Sequence, residues 1–318
     1  MSSEENTQII EKKALIEKVI AEVHKKIIGQ EKLVRDLIIG LLTGGHILLE
    51  GVPGVAKTLT IDTLSKTIDL DFSRVQFTPD LLPSDLIGTQ IYNQSKSDFE
   101  TKKGPIFTNF LLADEINRAP SKVQSALLEA MAEKQITIGE ESYKLDTPFI
   151  VLATQNPIEQ SGTYKLPEAE LDRFMMKSYV EYPTQVEEAE ILSKLDSIEH
   201  DKVAKILKKK EILEIQKIVG DIHVSENIIA YITDIISATR AEHQYLSYGV
   251  SPRGSISLVK AAKVVAFLDG RDFVIPEDIK EIAGSVLSHR LVLNYDAIAE
   301  DITAESIVNE ILNSVKIK

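Results

Sequence analysis

The stretch Gly51-Val52-Pro53-Gly54-Val55-Ala56-Lys57-Thr58, GVPGVAKT, decides how this chain is read. It fits the spacing G-x-x-x-x-G-K-[ST] of a phosphate-cradling loop at every position but one, because Ala56 stands where the pattern has glycine. The flanks supply the context that separates a true match from a chance one. HILLE (46–50) is a short apolar run bounded by Gly44-Gly45 and Gly51, which is a buried-strand signal. A helix is expected to start at or near Lys57. In a strand–turn–helix of this kind the loop N–H groups and the helix N-terminus point at phosphate oxygens, and the helix dipole favours their charge. Lys57 then supplies a mobile cation and Thr58 a hydroxyl for Mg2+. Ala56 adds a single methyl. It is expected to keep a negative φ with its N–H toward the phosphates, since a left-handed conformation would cost about 1–2 kcal/mol.

Outward from this loop the pattern alternates. Apolar runs at FSRVQF (72–77), NFLLAD (109–114) and FIVLATQ (149–155) read as further strands, with helical spacing between them, notably over 119–133. Before the loop, Ile16, Ile20, Val23 and Ile27 lie at helical spacing, and a second helix carries Leu33, Val34, Leu37, Ile38, Leu41 and Leu42. Alternation of this sort predicts a parallel sheet with helices on both faces. The segment 78–108 breaks the rhythm with Pro79, Pro83, Gly88, Gly104 and Pro105, and reads as an insertion containing a hairpin. QITIGEESYKL (135–145) reads as a second hairpin turning near Gly139. After EYPTQ (181–185) the pattern becomes helical, over 186–199, 209–219, 225–242, 253–268 and 276–290. Pro183 marks the hinge. The expectation is an α/β domain over 1–185 and an all-helical domain over 186–318.

Composition bounds the function. The chain has 318 residues, 43% hydrophobic, with no tryptophan and no cysteine. Zinc–thiolate sites, disulfides and cysteine nucleophiles are excluded. The net charge of −13 disfavours nucleic acid as a partner. LIIGLL (37–42) is too short to span a membrane. MSSEENTQII, at the start, has no basic and apolar leader pattern, so a cytoplasmic location without membrane insertion is expected. The six histidines show no ligand spacing near acids. The KKKE at 208–211 reads as a solvated face.

Three further stretches carry chemistry. NFLLADEINRA (109–119) ends four apolar residues in Asp114-Glu115. A carboxylate at the end of a buried strand needs a partner. Mg2+ beside Thr58 is one such partner, and Glu115 would then act as general base toward water. The alternative is a strand followed by an acidic helix cap. VLATQN places Asn156 after the next strand and directly before Pro157, where Asn-Pro reads as a turn. In YGVSPRGS (248–255), Ser251 can cap a helix with Pro252 at its first position. Arg253 then lies in the first turn, where a cation opposes the dipole. Arg118, three residues past Glu115, either touches a nucleotide or pairs with an acid.

Together, GVPGVAKT, LADEINRAP, ATQNPIEQSGTYKLPEAELDRF and SPRGS resemble the MoxR family of AAA+ ATPases, over roughly residues 20–290. The insertion at 78–108 is similar to that of the helix-2-insert group, which also holds magnesium-chelatase ATPase subunits. The resemblance implies a P-loop NTPase αβα sandwich with a parallel sheet and an all-α lid. It implies ATP and Mg2+ as cofactors, bound by Gly51, Val52, Pro53, Gly54, Val55, Ala56, Lys57, Thr58, Leu59 and Asp114. In IIGQE (27–31), backbone at Ile28 and Gly29 would meet adenine. Asn156 would be sensor 1, Arg173 in LPEAELDRF an arginine finger reaching a neighbouring subunit, and Arg253 sensor 2. A ring, usually a hexamer, is implied, with a von Willebrand A domain partner and a role in maturing, remodelling or metal-loading client complexes. Two alternatives are a nucleotide-gated scaffold with little turnover and a DNA-acting motor, the latter disfavoured by the charge.

Overall fold

The computed structural model describes residues 3–317 apart from Pro53, residues 156–163 and Lys165. Of the expected site residues, Pro53 and Asn156 lie outside the described residues.

Two helices open the chain, α1 (Ser3–Val23) and α2 (Glu31–Thr43). Gly44, at φ 64, ends α2 by donating its N–H to the Gly40 and Leu41 carbonyls. The chain then enters β1 (Ile47–Gly51), the phosphate-loop sequence and α3 (Lys57–Thr67), followed by β2 (Phe72–Gln76). The insertion holds α4 (Pro83–Ile87) and the hairpin β3 (Gly88–Asn93)–β4 (Asp98–Lys103). Next come β5 (Phe110–Asp114), a 3-10 turn over Ile116–Arg118, α5 (Ser121–Glu133) and a second hairpin, β6 (Gln135–Ile138)–β7 (Glu141–Lys144). β8 (Ile150–Gln155), α6 (Glu168–Leu171) and β9 (Met176–Val180) complete this half.

Five strands form one parallel sheet in the order β2-β5-β8-β1-β9. Period-2 alternation sorts its side chains between two cores. Ile47, Leu49, Phe110, Leu112, Ile150 and Leu152 point to one side with α1, α2 and α3. Leu48, Leu111, Ala113, Val151 and Ala153 point to the other with α5 and its neighbours. Both faces are covered, as runs such as FLLAD require.

β9 is a strand that the sequence reading did not anticipate. Met176, Ser178 and Val180 are buried, while Lys177 and Tyr179 face outward. The alternation was present, but Lys177 and Ser178 hid its apolar character. Ser178 Oγ donates to the Asp36 carboxylate of α2 at 2.5 Å, and Lys177 pairs with Glu50 of β1. Polar residues here are held by partners instead of by apolar burial.

The remaining elements are α7 (Gln185–Ser193), α8 (Leu195–His200), α9 (Lys209–Asp221), α10 (Glu226–Arg240), β10 (Leu246–Tyr248), α11 (Pro252–Leu268), α12 (Pro276–Leu287), a 3-10 turn over Ser288–Arg290, β11 (Val292–Leu293), α13 (Tyr295–Ala299) and α14 (Ala304–Ser314). The helix expected over 186–199 is two helices, and the one expected over 276–290 ends at Leu287. α9 and α11 pack on α2, and α12 packs on β9. Their buried residues, Ile212, Ile215, Leu258, Ala262 and Ile279 among them, join the same apolar cluster as Leu37, Ile38 and Leu41 of α2.

Candidate active site

A cavity of about 400 Å³ opens where β1, β5 and β8 end. These are the carboxyl ends of a parallel sheet, where ligands of open α/β folds collect. The end of β1 contributes Gly51, the loop after it Gly54 and Ala56, and α3 Lys57, Thr58 and Leu59. β5 contributes Asp114 with Glu115 just beyond it, β2 contributes Arg74 and Gln76, and β8 contributes Thr154 and Gln155. Gly51 permits the tight exit from β1, since a Cβ there would stand 2.4 Å from the Val180 carbonyl oxygen.

Ala56 corrects an expectation. Its φ is 58 and its ψ 17, a left-handed conformation, instead of the negative φ read from its methyl group. Ala56 is the residue at which the loop turns into α3, and its carbonyl already accepts the Thr60 N–H at 2.9 Å. A left-handed residue beside right-handed ones gathers successive N–H groups into an anion-binding concavity. The backbone therefore keeps the shape that a glycine-type pattern demands. The methyl is exposed, so the cost is the local one of about 1–2 kcal/mol, with no clash added.

Lys57 Nζ donates to the Gly51 and Val52 carbonyls at 2.8 and 3.2 Å. Partial burial draws its pKa below the usual lysine value, and the charges of Asp114 and Glu115 oppose that shift. Asp114 is held on both oxygens. Oδ2 accepts from Arg74 Nε at 3.1 Å and Nη2 at 2.6 Å, and Oδ1 accepts from Thr154 Oγ1 at 2.6 Å. Glu115 leaves the sheet in a left-handed conformation, φ 56 and ψ 50, with its N–H donating to Thr154 Oγ1 at 2.8 Å. Such a conformation costs of order 1–3 kcal/mol and persists where neighbours over-determine it. The Glu115 carboxylate accepts from Arg118 Nη1 at 2.9 Å, so Arg118 pairs with an acid.

The other expected residues stand outside this cavity. Val52 lines an adjoining cavity of about 510 Å³ that shares Gly51 and also holds Glu50, Tyr179, Glu181 and Tyr182. Ile28 and Gly29 do not line it, but Gln30, next in the chain, donates from Nε2 to the carbonyl of Glu181, a lining residue, at 3.0 Å. Val55 is buried beneath the loop and packs in the core. Arg173 donates to the Leu128 carbonyl at 3.1 Å and does not line the pocket. Arg253 lies 3.7 Å from Asp172. Asp172 also accepts from Ser251 Oγ at 2.9 Å and from Arg290 Nε at 2.9 Å.

Arg74, Gln76, Thr154 and Arg290 were not singled out from the sequence. Arg74 and Gln76 carried a signal, two long polar residues at i and i+2 of a strand and so on one face. Thr154 and Arg290 carried none, because their partners are remote in the chain.

The strand order, the pocket at the strand ends and the helical segment behind it define a P-loop ATPase of the AAA+ class. Residues 46–176 match the family model "ATPase family associated with various cellular activities (AAA)", and residues 238–311 match "AAA lid domain". The chain is 46% identical to Chaperone MoxR1 of Mycobacterium tuberculosis over 308 residues, 94% of this chain and 81% of that one. It is 31% identical to Protein MoxR of Paracoccus denitrificans over 301 residues, covering 86% and 87% of the two chains. A crystal structure from Cytophaga hutchinsonii superposes with a TM-score of 0.93 at 52% identity, over 98% of this chain and 97% of that one. The chain belongs to the MoxR family of AAA+ ATPases.

Proposed function

We propose that this ATPase works at the cavity between α3 and the ends of β5 and β8, and drives the remodelling or maturation of partner protein complexes. The observation that carries the site is the convergence of Lys57, Thr58, Asp114 and Glu115 on one cavity from separate parts of the chain. The loop and Lys57 bind the phosphates, and adenine rests in the adjoining cavity near Ile28, Gly29 and Val52. Mg2+ fits the donor set. The described residues contain no cluster of three His, Asp or Glu side chains that would hold a metal alone. The Thr58 hydroxyl and the Asp114 carboxylate face one cavity, and Mg2+ takes few protein ligands when phosphates supply the rest. When bound, the ion offsets charge on the phosphates. Glu115 orients and deprotonates water, Asn156 positions it, and Arg253 acts from the second domain. Arg173, outside the pocket of its own chain, serves the pocket of a neighbour in a ring, which we take as a hexamer.

Residues 1–185 form the nucleotide-binding domain and 186–318 the lid in this reading. The protein acts in the cytoplasm, on a client recruited with a von Willebrand A domain protein. Its charge of −13 stands against nucleic acid as the client. No helix among the described residues is long and apolar enough to cross a membrane. Metal loading of a client is the narrower form of the same role.

The test uses two variants. Glu115→Gln retains ATP while hydrolysis falls about 10²–10⁴-fold, the range for losing a general base. Arg173→Ala alone is similarly slow. Mixing the two restores part of the activity, because some interfaces then combine an intact Glu115 with an intact Arg173. A mixture as inactive as its parts overturns the action of Arg173 on a neighbour, and an unchanged rate in Glu115→Gln removes Glu115 from the mechanism.

A further inference from the structure

The contact between Arg74 and Asp114 has no place in the phosphate-binding and water-activating roles proposed above. β2 and β5 run parallel with Gln76 beside Asp114, so Arg74 lies two residues back on the same face and reaches forward over the strand end. Its guanidinium places two donors on Asp114 Oδ2, at 3.1 and 2.6 Å, and a third contact at 3.3 Å to Gln76 Oε1. A carboxylate oxygen offers about two lone-pair sites. Both sites of Oδ2 are therefore taken by Arg74, and Thr154 takes one of Oδ1. A divalent cation at Asp114 meets an occupied ligand and a positive charge within hydrogen-bond distance of it.

The guanidinium is also free to leave. The Arg74 side chain is 49% exposed, against 16% for Asp114. A pair open to solvent on one side contributes less net stability than a fully buried one. Arg74 lines the same cavity as Lys57 and Thr58, so a displaced guanidinium stays within the space where phosphate oxygens would lie. Its planar fork suits phosphate as well as carboxylate.

We propose that Arg74 occupies Asp114 in place of the divalent cation, and that it transfers to the nucleotide's terminal phosphate when nucleotide enters, which frees Asp114 for the metal. This rests on the reading of Asp114 as the metal-side carboxylate. The consequence is an ordered site in which the metal binds poorly without nucleotide, because Arg74 has no other anion to take.

The experiment titrates Mn2+ into the full, nucleotide-free chain and follows the free ion by electron paramagnetic resonance. Arg74→Gln should bind Mn2+ roughly tenfold more tightly than the parent, as expected when a cation a few ångströms away is removed. Arg74→Lys, which keeps a point charge without the fork, should fall between them, and Asp114→Asn should bind least. In EDTA, Arg74→Gln should bind a fluorescent ATP analogue about fivefold more weakly, with the ADP analogue less affected, the scale of a single charge-assisted hydrogen bond to phosphate. Thermal melting confirms that each variant is folded, and Arg74→Lys carries the test if Arg74→Gln is not. Equal or weaker Mn2+ binding in a folded Arg74 variant overturns the proposal. An unchanged ATP affinity in EDTA overturns the transfer to phosphate. Mn2+ binding that Asp114→Asn leaves untouched overturns the underlying reading of Asp114, and that result is distinguishable from the other two.

Discussion

The pocket at the strand ends and the junction at Asp172 are both built from arginine–carboxylate contacts, yet their surroundings differ. In the pocket, Arg74 and Arg118 are 49% and 40% exposed, and each meets an acid at the strand end. At the junction the Arg290 side chain is 1% exposed. It donates to Asp172 and also to the carbonyls of Phe174, Met175 and Val286 and to Ser257 Oγ. Burial pulls its pKa below the ordinary arginine value, with Asp172 opposing. Exposed pairs are worth about 0–1 kcal/mol, whereas breaking a buried, fully bonded one costs about 3–5 kcal/mol. The pocket contacts are open to solvent and cost little to break, and the other set fixes the helical half onto the sheet.

Three measurements can break or sharpen that contrast. The largest effect belongs to Arg290→Met, which leaves Asp172 and several carbonyls without their donor. A loss of about 3–5 kcal/mol in denaturant melts is expected, while Arg118→Met shifts stability by less than about 1 kcal/mol. Similar losses from both would erase the distinction.

Acid should act next, and on the fixed side. His46, at the entry to β1, accepts the Val151 N–H on Nδ1 at 3.0 Å and donates from Nε2 to the Met131 carbonyl at 3.3 Å. Burial lowers its pKa to about 4 from an ordinary 6.5. The unfolded chain therefore binds the proton first. Stability is whole above pH 6.5 and falls as pH drops toward 4, by about 2 kcal/mol at pH 5 from this residue. Half-buried His289, whose pKa desolvation also lowers, adds in the same direction. Urea melts at pH 7.5 and pH 5 measure the sum. His46→Gln should flatten part of the slope, and an unchanged slope would place the acid sensitivity elsewhere.

The smallest effect is at the loop. Ala56→Gly removes the left-handed cost of about 1–2 kcal/mol but adds unfolded-state freedom of about 0.4–1 kcal/mol. A net stabilisation near 1 kcal/mol is expected, read as a small rise in Tm. A destabilised Ala56→Gly would mean that the methyl makes contacts worth more than the strain.

Much of the molecule was legible because its patterns are local. The strands β1, β2, β5 and β8 announced themselves as apolar runs, and the two hairpins by glycine and alternation. β9 was missed since Lys177 and Ser178 are satisfied by Glu50 and Asp36, partners that lie far away in the chain. Lys57, Thr58, Asp114 and Glu115 were legible by spacing, and the cavity gathers them. Ala56 was misjudged by weighing its side chain, when the turn into α3 sets the backbone. Arg74, Thr154 and Arg290 needed three dimensions, because each acts on a residue at least 40 positions away.

The apolar cluster that runs from the β1 side of the sheet through α2 into α9, α11 and α12 has a mechanical consequence. Tight packing of this kind resists continuous deformation and transmits displacement. A rotation of the helical half therefore drags α2, and with it the segment from Gln30 to Gly51 that borders both cavities. Motion imposed on α9 or α12, which lie away from the pocket lining, is delivered to it as leverage through α2 and β9.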